Sequence, residues 1–277
     1  MNNQVFEEMK SIAKDYDIIF SDENDIDGCK QEFANKINWC YISYNQKLSE
    51  EFIREFADKV YWEYISEYQK LSKEFIRKFA DKVDWYCISK FQKLLEGFIR
   101  EFANKVDWNN ISIYQKLSEG FIREFANKVY WNCISKYQKL SKEFIKEFDL
   151  IIPKDNWLYK TKEEKLSYLK ENCKNVYEIV DDNYIIAYKS TKIDGCSTYN
   201  FQYQYKVNEI YESHCDCNIS NESSFGLSAW TKEKALEHYS SGKLFKVYIN
   251  IEDIGAIVHD NKKIRCSKLK IISEESF

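Results

Sequence analysis

Helix breakers are scarce in this chain of 277 residues: it has one proline, Pro153, and seven glycines. That scarcity excludes a fold built on many tight turns and favours helices. Histidines number three, His214, His238 and His259, and none has a paired nucleophile, so a Ser/His or Cys/His hydrolase cannot be assembled. A Walker A loop and a G-x-G-x-x-G fingerprint are both missing. No stretch approaches the roughly 20 apolar residues of a membrane-spanning helix. Met1 to Ala13 carries Glu7 and Glu8 where a secretory leader would have a basic start and an apolar run. No membrane partner and an intracellular location are therefore expected. An excess of one charge is missing too: 41 basic against 45 acidic residues give a net charge of −4. A nucleic-acid partner is excluded on that balance, because backbone binding calls for a strongly basic face.

What is present is repetition. Trp39, Trp62, Trp85, Trp108 and Trp131 recur every 23 residues, as do Leu48, Leu71, Leu94, Leu117 and Leu140. A fixed period in this range marks a stacked array in which each unit buries its apolar face against its neighbours. Hydrophobic residues make up 44% and aromatics 17%, enough for a substantial core. Two of the nine cysteines, Cys87 and Cys133, fall on the repeat position held by Tyr41 and Tyr64 in other copies. A position that accepts Tyr or Cys is a packing position, so free thiols in a reducing compartment are expected.

In the copy Leu71 to Lys93, Ser72 offers an N-cap and Phe75, Ile76, Phe79, Ala80 and Val83 line one face of a helix. Asp84 offers a second N-cap, and Trp85, Ile88, Phe91 and Gln92 continue a shorter helix. Each unit thus reads as a helical hairpin. Neither helix reaches the roughly 12 to 15 residues needed for stability alone, so stacking must stabilise both. Upstream, Val5, Phe6, Met9, Ile12, Ala13 and Tyr16 form an amphipathic helix suited to close the N-terminal face. In the first copy Cys29 and Lys30 stand where Phe52 and Ile53 stand in the next, which predicts a truncated first helix. Tyr44, Glu67, Lys90, Ile113 and Lys136 occupy one equivalent site and differ, as solvent positions do. The predicted organisation is a capping helix over 1–24, tandem hairpins over 25–150 and, past Pro153, an α+β domain over 154–277.

The elements QKLSEEF, FADKV and W-x-x-IS, as in Gln46 to Ser66, resemble the short repeats of proteins of mimivirus-like giant viruses. The resemblance covers about residues 29 to 148; it implies viral origin and host-cell location, and no activity. In the C-terminal part, Lys162 to Asn172 and Thr231 to Tyr239 read as helices. Tyr184 to Lys189, Phe201 to Val207, Leu244 to Ile251 and Ile264 to Ile272 read as strands. Their order resembles a small domain of unknown function appended to phage and giant-virus proteins, in which a turn reads Cys-x-x-Gly-Leu-His. Here Gly226 and Leu227 are kept and Ser228 replaces the histidine, so these three are the candidate binding residues. GLSAWTKEKAL also resembles the Ser-rich strand and helix of mono-ADP-ribosyltransferases, which implies catalytic candidates Lys189, Ser228 and Glu252. Lys189 stands where that family has Arg or His, and no Glu-x-Glu precedes the last strands.

His214, Cys215 and Cys217 are zinc-type donors, but a second knuckle is missing, so no metal site is expected. Glu23, Asp25, Asp27 and Gly28 mimic the start of an EF-hand loop whose twelfth position is Ala34, which excludes calcium of that type. The sequence predicts a non-enzymatic protein-interaction or scaffold protein without cofactor, its partner a host or viral protein. The alternative is an ADP-ribosyltransferase-like or other nucleotide-handling enzyme in the C-terminal domain.

Overall fold

The computed structural model of the chain describes residues 3–154, 156–197, 203–238 and 241–275. The chain is α+β, an α-solenoid of short hairpins followed by an antiparallel sheet domain. The helices are α1 (Asn3–Asp15), α2 (Ile26–Lys36), α3 (Trp39–Asn45), α4 (Glu50–Glu55), α5 (Trp62–Tyr68), α6 (Lys73–Lys78) and α7 (Trp85–Phe91), then α8 (Glu96–Glu101), α9 (Trp108–Tyr114), α10 (Glu119–Glu124), α11 (Trp131–Tyr137) and α12 (Lys142–Glu147). Two compact units divide the chain, Met1–Gln92 and Lys93–Phe277, so the last repeats share a body with the sheet.

The hairpin begins as the caps dictate: Ser72 accepts from the Phe75 N–H and Asp84 from the Cys87 N–H. The first helix is shorter than the apolar stripe implied. Phe79 ends it at φ −110° and ψ 27°, and Val83 lies in a turn with its N–H on the Phe79 carbonyl. A turn there lets Phe79 and Val83 both reach the core without a continuous helix between them. The truncated first helix expected for the first copy is not found. That helix, α2, spans 11 residues against six in later copies: Asp25 caps its start by accepting from the Gly28 N–H at 3.0 Å, and it runs on past Phe33 to Lys36 where α4 already ends before the equivalent Phe56. The EF-hand-like acids thus start a helix.

Each of the five repeat tryptophans makes the same bond. Its indole N–H donates to the alanine carbonyl five residues earlier, at 2.9 Å in Trp39, Trp62, Trp85 and Trp108 and 3.1 Å in Trp131. Its ring lies on the next copy's phenylalanines, Trp62 on Phe75 and Phe79, and Trp108 on Phe121 and Phe125. Between copies runs a ladder of buried glutamines. Gln138 accepts from the Leu117 N–H at 3.1 Å and donates to the Ser112 and Gln115 carbonyls at 3.0 and 2.8 Å. Gln69 repeats this on Leu48, Ser43 and Gln46. Backbone groups left unpaired between short helices are satisfied in this way, which burial demands.

Both ends borrow the same bonds. The glutamate opening a first helix takes the N–H of the next copy's capping serine, Glu96 on Ser118 and Glu119 on Ser141, each at 2.6 Å. For Ser49 that acceptor is Glu8 of α1, at 2.8 Å. Helix α1 buries Val5, Phe6, Met9, Ile12 and Ala13, the stripe expected from sequence. At the other end the Tyr159 hydroxyl accepts from the Leu140 N–H at 3.3 Å and donates to the Gln138 carbonyl at 3.1 Å, replacing the next glutamine.

The sheet domain opens with α13 (Lys162–Asn172) under a Thr161/Glu164 capping box. Its strands are β1 (Glu178–Val180), β2 (Tyr184–Thr191), β3 (Ile210–Glu212), β4 (Leu227–Trp230), β5 (Lys243–Asn250), β6 (Ile254–Val258), β7 (Lys263–Cys266) and β8 (Lys268–Glu275), with α14 (Lys232–His238) after β4. They pair antiparallel in the order β3-β8-β5-β2-β4-β7-β6, with β1 also on β2. Two expectations are corrected. Phe201 and Gln202 of the expected strand Phe201 to Val207 lie outside the described residues, and the described part, 203–207, forms no strand: Gln204 makes only an isolated bridge to Cys196. The run Ile264 to Ile272 is two strands, because Ser267 turns to the Asp253 carbonyl and sends β7 and β8 to different neighbours.

Candidate functional site

A cavity of about 670 Å³ opens where β2 and β4 meet at Tyr188 and Trp230. Lys189, Gly226, Leu227 and Ser228, four of the residues singled out in the sequence, all line it. Tyr203, Tyr205, Ser190, Ser197, Ser223, Ser224, Trp230, His259 and Lys263 line it as well. Lys189 is 9% exposed; its ammonium donates to the Ser228 carbonyl at 2.9 Å and lies 4.8 Å from the centre of the Tyr205 ring. Burial lowers its pKa to about 8. Lys263 lies 4.8 Å from the Trp230 ring, and burial lowers its pKa as well. Glu252 is not in the wall. Its side chain is exposed, and its carbonyl accepts from the buried Lys165 at 2.8 Å.

The zinc-type donors separate. Cys215 and Cys217 are buried beside Gly255, with the Cys217 thiol directed at the Cys215 carbonyl at 3.5 Å. His214 stands apart from them: its ring lies 5.5 Å from Phe225, and burial lowers its pKa to about 4. No group of three or more metal-type side chains occurs among the described residues.

Arg265 organises the loop between these features. It is fully buried and donates to the carbonyls of Asp216, Asn221 and Asn218 at 2.6, 2.7 and 2.8 Å. At the end of that loop Gly226 has φ +123°, and a Cβ there would meet the Cys215 Cα at 3.1 Å, so glycine is required. Phe225, just before it, packs against Tyr114 and Tyr137 of α9 and α11, with ring centres 4.7 and 5.7 Å away. Sequence reasoning passed over Arg265 and Phe225. Arg265 did leave a signal, as the sole arginine after Phe148 in a lysine-rich stretch.

Tyr114 and Tyr137 hold one repeat position, and its counterpart two copies earlier is Tyr68. In the first unit Tyr61, Tyr64 and Tyr68 follow at i, i+3 and i+7 on α5, with neighbouring rings 6.2 and 6.3 Å apart, and Tyr44 of α3 packs on Tyr68 at 4.5 Å. Tyr61 and Tyr44 are 52% and 44% exposed, so this aromatic row is open. Compared with known proteins, the chain matches no family model, no characterised protein and no solved structure.

Proposed function

We propose that the chain is a non-enzymatic protein-interaction protein, viral in origin as its repeats imply, whose second-helix face holds an aromatic-tipped loop of a host or viral partner. One observation carries the reading: the array already grips such a loop, Phe225 seated on Tyr114 and Tyr137. In the first unit the tyrosine at the same repeat position, Tyr68, is half-buried, and beside it Tyr44 and Tyr61 lie exposed. Tyrosine supplies large contact area with few rotatable bonds, which is why it dominates interface hot spots. The copies also differ most along the second helices, at Tyr44, Glu67, Lys90, Ile113 and Lys136 for instance, while core positions stay fixed. Variation there tunes a surface without disturbing the stack.

The test is affinity capture from host-cell extract by the full chain and by a Tyr44→Ala, Tyr61→Ala, Tyr64→Ala variant whose melting matches the parent. A protein held by the parent and lost from the variant is expected; identical captured sets would sink the reading. Transfer of label from NAD to an acceptor, abolished by Ser228→Ala, would establish the enzymatic alternative instead.

A further inference from the structure

We propose that the cavity between β2 and β4 binds a small phosphate ester with a hydroxylated body, a sugar phosphate or a nucleotide, held by Lys189 and Lys263. The argument starts from charge. Lys189 is a buried ammonium whose described hydrogen bond goes to one neutral carbonyl, that of Ser228. An ammonium taken out of water without a counter-charge is costly, and a ligand anion at that place removes the cost. Lys263 and His259 line the same cavity, while no carboxylate does among the described residues. The nearest acid recorded beside them, Glu222, has its carboxylate 3.7 Å from the His259 ring, and its carbonyl accepts from His259 and Lys263 at 3.1 and 3.4 Å. The wall therefore presents positive charge to whatever enters.

The rest of the wall suits the remainder of such a ligand. Ser190, Ser197, Ser223, Ser224 and Ser228 bring hydroxyls that both donate and accept, as a sugar requires. The volume of about 670 Å³ falls in the range of small-molecule sites. Bond-breaking is left out of the proposal, since transfer chemistry on a glycosidic bond calls for a carboxylate, and none lines the cavity among the described residues.

Calorimetric titration of the full chain with inorganic phosphate, ribose 5-phosphate, AMP and adenosine tests it. Ribose 5-phosphate or AMP should bind at least tenfold tighter than inorganic phosphate and adenosine, and the ratio between the two esters tells a sugar phosphate from a nucleotide. Lys189→Met and Lys263→Gln should each weaken the preferred ester at least tenfold; Lys263 is the less buried, so its variant keeps the test valid if the other misfolds. Failure of every ester to bind at millimolar concentration, equal affinity for phosphate and esters, or unchanged binding in a folded Lys263→Gln protein would overturn the proposal.

Discussion

The repeats and the sheet domain bury polar groups in opposite ways. In the repeats one solution is copied: a glutamine reaches across to the neighbouring leucine N–H and two carbonyls, and each link matches the last. In the sheet domain each solution is made once, and the most extensive is one arginine on three carbonyls of one loop. A copied bond spreads risk, whereas a unique bond concentrates it. Loss of a repeat glutamine should therefore be felt locally, and loss of Arg265 throughout the loop that forms the cavity and carries Phe225.

The sharpest way to break that contrast is Arg265→Met. It leaves Asp216 buried without its cation and three carbonyls without donors, and stability of the Lys93–Phe277 unit should fall by about 3 to 5 kcal/mol. Urea titration should show this, with hydrogen exchange rising across residues 215 to 230; an unchanged midpoint would refute the clamp. Gln138→Ala should cost less, about 1 to 3 kcal/mol, for the Leu117 N–H and two carbonyls it strands. Its added exchange should stay in α9, α11 and the strand of chain at Leu117, and exchange spreading through β2 and β5 would contradict the local picture.

Acid offers a third probe. His214 has a folded pKa near 4 because burial disfavours its charged form. Its unfolded value is about 6.5, so the unfolded chain takes up the proton first as pH drops. Stability should be intact above pH 6.5 and should decline by about 2 to 3 kcal/mol as pH falls to 4. His214→Gln should flatten that slope in melts recorded between those limits.

The smallest expected effect is a gain. Leu95 sits at the N-cap of α8, 57% exposed and making no side-chain cap bond, where other copies have serine. Leu95→Ser should raise stability by about 1 kcal/mol, measured by thermal melting. A loss would mean that the apolar side chain itself is held.

The same contrast explains what could be read without coordinates. Period, hairpin, caps at Ser72 and Asp84 and the buried face of α1 were legible, because each copy restates the pattern and chance matches do not repeat. The glutamine ladder was not: glutamine reads as a surface residue, and only its constancy at 46, 69, 92, 115 and 138 hints at it. In the sheet domain β2, β5, α13 and α14 were legible from length and pattern. Strands β1, β3, β4 and β6, of three to five residues, carry too little periodicity to register. Tyr203 and Tyr205 alternate like a strand, yet they wall a cavity, because aromatic alternation serves a pocket as well as a pleat. Lys189, Gly226, Leu227 and Ser228 did converge, while Glu252 was drawn in by analogy and stands elsewhere.

The two terminators have an evolutionary consequence. Glu8 and Tyr159 each imitate what an adjoining copy would offer, so neither depends on how many copies lie between them. Duplicating or deleting 69 nucleotides, about one unit at three per residue, would leave every junction chemically unchanged. The gene can thus lengthen or shorten its tyrosine-bearing surface in whole steps, with Glu8 and Tyr159 still serving the copies beside them.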